Sequence, residues 1–339
     1  MRNFHFTFLF IIALSLFASL DVTAQKKRAQ TSMKFLSVSP SAHAAALSNA
    51  ATSLELGSAS VFYNPAAIAH GNNTFDISGG VVEYIADINY SNVAFTYRPL
   101  NRRVGVFGFN LVSVDYGDIL GTVLSSDNPL GYEETGLIKP TAVALGFAYA
   151  NAITDQFSVG ANFRYVKQDL SSAILGVDAS TGSYISNFYA ASVIALDFGI
   201  LYKTGFESLN IAMSIQNFAR EVAFDIEKQE LPMTFKIGVS MDLIDLTSLN
   251  KKSHSLLASV DAHRPRDYDE QIIVGLDYGF MGRFNIRGGY TMPSKDEKGL
   301  SIGGGITQPI GDVNLAVDYA YTEFGVFGNV NRISFRLDF

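Results

Sequence analysis

The chain ends in an alternating stretch, Asn331-Arg332-Ile333-Ser334-Phe335-Arg336-Leu337-Asp338-Phe339. Because successive side chains of a β-strand point to opposite faces, Ile333, Phe335 and Leu337 share one face with Phe339, and the polar residues share the other. The same period of two recurs at residues 313–321 and 234–243. There the less apolar face is often Gly, Ala, Ser or Asn, whereas a soluble sandwich would place many charges on it. The pattern predicts strands that separate lipid from a crowded interior.

Fourteen such segments follow one another between residue 74 and the end of the chain. They span residues 74–84, 89–98, 103–115, 141–150, 156–167, 191–203, 209–219, 234–243, 254–264, 271–279, 283–291, 300–307, 313–321 and 331–339. An even number of antiparallel strands is typical of single-chain outer-membrane barrels, as are short turns at one end and long loops at the other. Long connections at residues 116–140, 168–190 and 220–233 alternate with shorter ones. We predict an all-β fold, a fourteen-stranded antiparallel transmembrane β-barrel in the outer membrane with both termini in the periplasm.

The composition also favours an exported membrane protein. The 339 residues are 48% hydrophobic and only 17% charged, against about 25% charged residues in an average soluble domain. The apolar content excludes intrinsic disorder. The absence of cysteine excludes a disulfide scaffold and a thiolate metal site. A net charge of −7 argues against nucleic acid as a partner.

The N-terminus has the three parts of a secretory signal peptide. Arg2 lies in a short n-region, residues 6–20 are apolar, and Val22-Thr23-Ala24 offers small residues for cleavage. This apolar stretch is shorter than the roughly twenty residues that span a membrane, so an uncleaved anchor is the lesser alternative. We predict a signal peptide at residues 1–24, an N-terminal hatch at residues 25–73 and the barrel at residues 74–339.

The segment ahead of the first strand does not alternate. Residues 39–56 are rich in alanine and predict a helix, and Asn64-Pro65 predicts the start of another, because proline fits the first helical turn. A small-residue, mildly apolar segment ahead of a barrel indicates a partly helical hatch inside the lumen. A periplasmic extension is the alternative. The candidate hatch motif comprises Phe62, Tyr63, Asn64, Pro65 and Ala66.

Ten charged residues fall on the predicted lumen faces. They are Asp76, Arg164, Asp197, Lys236, Asp261, Asp277, Arg287, Asp318, Arg332 and Arg336. Their mixed signs predict a polar network that ties the wall to the hatch, because a pore selective for one sign of charge would carry rings of the other. The terminal Phe339 closes an alternating strand and is the candidate assembly signal.

A catalytic role is not indicated. Ser259, Asp261 and His263 share one strand face, but residues two apart on a strand are separated by roughly 7 Å. We therefore expect no direct Asp261–His263 contact, which a catalytic triad would need. We predict that the protein is not an enzyme, needs no cofactor, and carries a polar patch at these positions.

Two further motifs have plainer interpretations than binding sites. The acidic run Asp267-Tyr268-Asp269-Glu270 on a predicted outer loop could hold calcium through oxygen ligands, but it lacks the spacing of an EF-hand and is interpreted as a solvated loop. Gly303-Gly304-Gly305 lies inside a strand, where glycine marks a bend or a close approach of the hatch.

The predicted long loops are rich in apolar side chains. They hold Tyr116, Ile119, Leu120, Val123, Leu124, Leu130, Tyr132, Ile174, Leu175, Tyr184, Ile185 and Phe188. Exposed apolar patches of this size mark interaction surfaces, so the loops are a candidate docking surface. Packing of the loops on one another as a lid is the alternative.

Several motifs resemble the PorV/PorQ family, a branch of the FadL-like barrels. The matching stretches are Phe35-Leu36-x-Val38-x-x-Ser41-Ala42-x-Ala44-Ala45-Ala46-Leu47, Val61-Phe62-Tyr63-Asn64-Pro65-Ala66 and Leu201-Tyr202-Lys203-Thr204-Gly205-Phe206-Glu207-Ser208-Leu209-Asn210-Ile211-Ala212-Met213-Ser214-Ile215-Gln216-Asn217-Phe218. One departure is Ser48-Asn49, where the family usually shows a glycine pair.

The resemblance implies a fourteen-stranded barrel with an N-terminal hatch, acting in type IX protein secretion and surface attachment. It further implies partners: outer-membrane lipid, subunits of the translocon or attachment complex, and secreted cargo with C-terminal signal domains. The alternative function is a FadL-like channel for hydrophobic small molecules.

Overall fold

The computed structural model describes residues 30–71, 73–99, 104–125, 128–177, 183–251, 253–293 and 299–339. The predicted signal peptide lies outside the described residues. The strands are β1 (Phe75–Glu83), β2 (Asn89–Tyr97), β3 (Val106–Asp115), β4 (Ile119–Leu124), β5 (Tyr132–Ile138), β6 (Thr141–Ala152), β7 (Phe157–Val177), β8 (Tyr184–Lys203), β9 (Asn210–Ala219), β10 (Val222–Ala223), β11 (Lys228–Gln229), β12 (Thr234–Asp242), β13 (His254–Pro265), β14 (Gln271–Phe280), β15 (Phe284–Met292), β16 (Leu300–Ile310), β17 (Val313–Glu323) and β18 (Asn329–Asp338).

The helices are short. Among the described residues, one α-helix spans Ala42–Ala46, and 3₁₀ helices span Lys34–Ser37, Gly57–Phe62, Pro65–His70, Ile85–Asp87, Leu243–Leu246 and Gly325–Phe327. Within the described ranges, none of the helices has the length and apolar character needed to span a membrane.

Fourteen of these strands form one closed antiparallel barrel. Their order is β1, β2, β3, β6, β7, β8, β9, β12, β13, β14, β15, β16, β17, β18, and β18 closes against β1 with Leu337 opposite Ile77. The strand number, the antiparallel order and the closure predicted from the sequence are confirmed. Because the barrel is closed, the backbone N–H and C=O groups of every wall strand can bond to a neighbouring strand, which lipid could not provide.

Side chains alternate between the two faces of the wall. On β18, Ile333, Phe335 and Leu337 are exposed on the outside, whereas Arg332 and Ser334 are buried in the lumen. Aromatic rings cluster where β1 starts and β18 ends: Phe75 stacks with Phe95, Tyr97 and Phe339 at centroid distances of 6.0, 5.0 and 5.3 Å. Such aromatic girdles mark the membrane interfaces of outer-membrane barrels.

We call the end of the barrel that holds Phe339 the base, and the opposite end the mouth. Short connections join the strands at the base, among them residues 153–156, 281–283 and 311–312. The longest connections, residues 116–140 and 220–233, lie at the mouth. The predicted alternation of connection lengths is present only in part, because residues 243–253 at the base form a longer connection than residues 266–270 at the mouth.

Two of the predicted loops are largely strands. Residues 116–140 contain the hairpin formed by β4 and β5. Much of the predicted loop 168–190 belongs to β7 and β8, which continue as a two-stranded ribbon beyond the wall, with Ser172 opposite Phe188. The prediction assumes strands of about ten residues, the length that spans a bilayer. Strands β7 and β8 have 21 and 20 residues, and their additional residues pair with each other beyond the wall. We call the hairpin and the ribbon together the mouth projection.

The hatch runs through the lumen from the mouth to the base. The helix Ala42–Ala46 packs on β15 to β18, the helix Gly57–Phe62 on β1 to β3, and the helix Pro65–His70 on β3 and β6 to β8. Its last turn is held at the base, where Arg98 donates to the carbonyls of Ile68 and Ala69 at 3.1 and 2.9 Å. The hatch thus fills the barrel along its length.

The first described residues lie at the mouth. Thr31 forms a parallel bridge with Glu230, which belongs to the connection 220–233, and Ser32 donates to the Glu230 carbonyl at 2.9 Å. Gln30 and Phe339 therefore lie at opposite ends of the barrel. The prediction that both termini lie in the periplasm stays a prediction, because residues 1–29 lie outside the described residues.

Candidate functional site

The hatch motif is anchored by a buried asparagine. Asn64 begins the helix Pro65–His70: its side-chain oxygen accepts from the Ala66 N–H at 3.0 Å, as a helix N-cap does. Its amide nitrogen donates to the carbonyls of Thr52 and Ile200 at 2.9 and 3.0 Å. One side chain therefore joins two parts of the hatch to strand β8. The predicted helix start at Asn64-Pro65 is confirmed.

Tyr63 ties the two halves of the hatch together. Its hydroxyl hydrogen-bonds the Ser39 hydroxyl at 2.6 Å and accepts from the Ser41 N–H at 3.1 Å. Burial raises the pKa of the Tyr63 phenol above its ordinary value. Gln216 of β9 donates to the carbonyls of Phe62 and Tyr63, both at 2.8 Å. The motif is thus bonded to the wall through its backbone.

The hatch packs closely against glycine residues of the wall. A Cβ added to Gly160 would lie 2.5 Å from the Pro65 carbonyl carbon, and one added to Gly199 would collide with the Asn64 side chain. Gly303 likewise faces Ala46, since a Cβ there would lie 2.6 Å from the alanine methyl. Of the two interpretations of the glycine run, a bend or a close approach of the hatch, the close approach is confirmed at Gly303, whereas Gly304 and Gly305 face other residues of the wall.

Ser48 and Asn49 form the turn after the Ala42–Ala46 helix. Both residues have positive φ, 52° and 75°, and the Asn49 N–H bonds back to the Ala44 carbonyl at 2.8 Å. A left-handed conformation favours glycine. This explains physically why a glycine pair would suit these positions. Asparagine tolerates the conformation better than most other side chains.

Most of the predicted lumen charges form ion pairs between strands of the wall, and the pair of Arg287 on β15 with Asp318 on β17 spans the intervening strand β16. Arg164 contacts Asp197 at 2.6 Å. Arg287 lies between Asp277 at 2.8 Å and Asp318 at 2.5 Å. These pairs have little exposure to solvent, so removal of one partner would leave an uncompensated charge.

A second set of lumen charges contacts the hatch backbone. Asp76 accepts from the Ser58 N–H at 2.9 Å and pairs with Arg336 at 2.7 Å. Arg332 donates to the Ser39 carbonyl at 3.0 Å. Lys236 lies on β12 opposite His263 of β13. The charges thus join the wall to itself and to the hatch.

Asp261 is the charge most involved with the hatch. One of its carboxylate oxygens accepts from the N–H groups of Ala51 and Thr52 at 3.1 and 3.0 Å and from the Thr52 hydroxyl at 2.6 Å. The same oxygen lies 3.3 Å from His263 Nε2. The expectation of no Asp261–His263 contact is therefore wrong, because both side chains lean toward each other along one strand face. The Ser259 hydroxyl instead points to the Gly275 carbonyl at 3.5 Å.

The acidic run at the mouth begins with a residue used by the hatch. Asp267 forms an ion pair with Lys34 and accepts from the Thr31 hydroxyl at 2.9 Å. The Lys34 ammonium also lies 4.5 Å from the centre of the Tyr268 ring. In the described part of the chain, no cluster of three potential metal-ligating side chains occurs.

The mouth projection carries apolar side chains into solvent. Leu124 is 95% exposed and Leu130 71%. Tyr184, Ile185 and Phe188 on the ribbon are each at least half exposed. The hairpin also contacts strand β7 of the ribbon, so the two parts of the projection pack partly on each other while these side chains stay exposed.

Comparison with known proteins gives a family for this barrel. A family model described as type IX secretion system protein PorV matches residues 21–260. The chain belongs to the PorV family. The description of that model is one of type IX secretion. No curated protein sequence matches the chain.

Solved structures similar to this PorV family member are FadL-like barrels. The toluene transporter TbuX of Ralstonia pickettii is 15% identical, with 87% of this chain and 96% of that chain covered and a TM-score of 0.55. A Pseudomonas aeruginosa FadL homologue is 12% identical, with 92% and 98% covered and a TM-score of 0.52. At these identities the likeness shows the fold alone.

Proposed function

We propose that this PorV family protein is a non-enzymatic docking barrel of the outer membrane in type IX secretion. The mouth faces the cell exterior, and the base faces the periplasm. The mouth projection binds secreted cargo with C-terminal signal domains, or neighbouring subunits of the translocon or attachment complex. Lipid surrounds the apolar outer face of the barrel.

The exposed apolar mouth projection carries this proposal. Its hairpin places Leu124, Leu130 and Leu137 in solvent with more than half of each side chain exposed. Apolar side chains clustered on a projection are costly for an isolated protein and are typical of interaction surfaces. The lumen charges and the hatch motif serve this function as structural supports that keep the barrel closed, and Phe339 as an assembly signal.

The alternative, a channel for hydrophobic small molecules, has less support. A channel of the FadL type would need an apolar pocket beside the hatch. Two cavities at the boundary of hatch and wall measure about 10 and 40 Å³, and the larger is lined on one side by Asn162, Arg164 and Asp197. A cavity that binds benzene is about 150 Å³.

The test replaces Leu124, Leu130 and Leu137 together by serine. The matched control replaces Ile226 and Val326, which are 87% and 90% exposed on other connections at the mouth. We expect the triple variant to fold, by heat-modifiable gel migration, yet to lose co-purification of cargo or secretion subunits from solubilised outer membranes. The control should retain it. Retention by the triple variant would contradict docking, and a change in solute permeability alone would favour the channel.

Orientation is tested separately with epitope tags on intact cells. A tag within residues 116–140 should be accessible to antibody, whereas a tag within residues 153–156 should become accessible only after permeabilisation. The reverse pattern would place the docking surface in the periplasm.

A further inference from the structure

Arg332 is a buried cation of the upper lumen that hydrogen-bonds to neutral groups. It is 4% exposed, and it donates through Nε to the Ser39 carbonyl at 3.0 Å and through Nη1 to the Thr322 hydroxyl at 2.9 Å. Among the residues that the structure describes, no carboxylate pairs with it. Three other lumen arginines each pair with at least one aspartate: Arg164, Arg287 and Arg336. A buried charge without such a partner is costly, so the environment of Arg332 calls for a compensating group.

The guanidinium of Arg332 lines a small cavity between the wall and the hatch. The cavity measures about 10 Å³, which is room for about one species of the size of a water molecule. Its polar lining comes from three strands of the wall and from the hatch: Thr291, Ser301, Thr322, Ser39, Ser48 and Asn49. The rest of its lining is apolar or aromatic. The cavity therefore combines one positive charge with several small polar groups.

Two hydroxyl groups of this lining have protons to donate. Ser48 is 7% exposed, and within the described part of the chain its Oγ has no hydrogen-bond partner. The Thr322 hydroxyl accepts from Arg332 and, at 3.3 Å, from Ser301, so its own proton remains to be donated. The side-chain oxygen of Asn49 is also unpaired in the described chain, and rotation of the amide presents its NH₂ group in place of the oxygen. The surroundings of the charge are thus rich in donors and lack a negatively charged acceptor.

The turn formed by Ser48 and Asn49 supplies the hatch side of the cavity. Both residues have left-handed φ values, 52° and 75°, a conformation that glycine adopts without strain. Glycine at both positions would therefore make the same turn at lower conformational cost. Serine tolerates this conformation less well than asparagine. The two polar side chains need a reason beyond the turn itself, and the cavity beside Arg332 provides one.

We propose that this cavity binds one small monovalent anion, chloride, between Arg332 of the wall and the Ser48-Asn49 turn of the hatch. The anion compensates the guanidinium charge and accepts the hydroxyl protons of Ser48 and Thr322. Water in the same place would satisfy the hydroxyl groups but leave the charge without a counterion. Because the ligands come from both wall and hatch, the anion stabilises the hatch in the lumen. This site does not depend on what the mouth projection binds.

Bromide locates the ion directly, because it replaces chloride and scatters X-rays anomalously. Crystals of the detergent-solubilised barrel are soaked in sodium bromide. We expect an anomalous peak inside the cavity, within hydrogen-bond distance of the Arg332 guanidinium and of Ser48 Oγ. Density at this position without an anomalous signal would identify a water molecule and overturn the proposal.

A double variant provides a second measurement. Ser48→Gly together with Asn49→Gly removes both side chains and suits the left-handed backbone, so the barrel is expected to fold. Met281→Gly is the matched control, because Met281 also has a positive φ, 56°, and lies in an exposed turn at the base. Heat unfolding, followed by gel migration, is compared in sodium chloride and in sodium gluconate of equal ionic strength.

Chloride should stabilise only the proteins that keep the site. For the unmodified protein and the control, we expect the midpoint to rise by about 5 °C once chloride reaches roughly a hundred times its dissociation constant. The double variant should unfold at the same temperature in both salts. An equal rise in all three proteins would place the ion elsewhere, and no rise in the unmodified protein would mean that the cavity holds no chloride.

Discussion

Asn64→Ala should loosen the hatch while leaving the barrel closed. The substitution removes the side chain that bonds Thr52, Ile200 and Ala66, and Asn64 itself is fully buried. Each buried polar group left without a partner costs about 1–3 kcal/mol, although relaxation recovers part of this. For two carbonyls and one N–H we expect a loss of about 3 kcal/mol from the free energy that keeps the hatch in place. Every 1.4 kcal/mol is a factor of ten, so transient opening should become about a hundredfold more frequent.

The assay is thiol labelling of a buried hatch position. Ser53→Cys is a suitable reporter because Ser53 is 0% exposed and its hydroxyl has no hydrogen-bond partner. Labelling rates of the purified barrel in detergent compare the reporter alone with the reporter plus Asn64→Ala. Asn128→Ala is the matched control, since Asn128 makes two similar bonds in an exposed turn where water replaces them. A rate within threefold of the reporter alone would refute the anchoring role of Asn64.

Three further outcomes follow from the contacts of the wall. Deletion of Phe339 should lower the yield of heat-modifiable folded barrel, since its ring packs on Phe75 at 5.3 Å; an unchanged yield would mean that assembly depends on another signal. Gly160→Val should displace the hatch, because a Cβ already meets the Pro65 carbonyl carbon at 2.5 Å, and protease digestion should then cut the hatch in an otherwise folded barrel. Arg287→Met removes the partner shared by Asp277 and Asp318, leaves Asp277 with His43 and Asn285, and should lower the free energy of urea unfolding by about 3 kcal/mol; a loss below about 1 kcal/mol would show that the remaining partners and water compensate the two carboxylates.

The number of strands and the face on which each side chain lies could be predicted because both depend on a local sequence pattern. A period of two assigns each side chain to one face wherever its strand lies in the barrel, so Arg332 and Phe335 were placed on the correct faces from sequence alone. The start of the Pro65–His70 helix was equally local, because Asn64 and Pro65 act on their own backbone.

The partners of the lumen charges could not be predicted in the same way. Asp261 binds hatch residues about 210 positions away in sequence, and Asp267 binds Thr31 at a separation of 236. Contacts between residues so far apart in sequence produce no periodic pattern from which they could be predicted. Asp267 looked like a solvated acidic residue because its own neighbours, Asp269 and Glu270, are acidic, whereas its buried state depends on Thr31 and Lys34 at the other end of the chain.

Because the hatch packs against glycines of the wall, substitutions in the hatch and in the wall are expected to influence each other. At Gly160 and Gly199 the inner surface of the barrel has no side chain of its own and is completed by Pro65 and Asn64. At Gly199, where the contact is with the Asn64 side chain, a larger residue is then tolerable only with a smaller one at position 64, whereas at Gly160 the contact is with the hatch backbone and the hatch itself must shift. Effects of substitutions across these contacts should be strongly non-additive. Epistasis of this kind links positions about a hundred or more residues apart, so the hatch and the barrel of a homologue could not be exchanged independently.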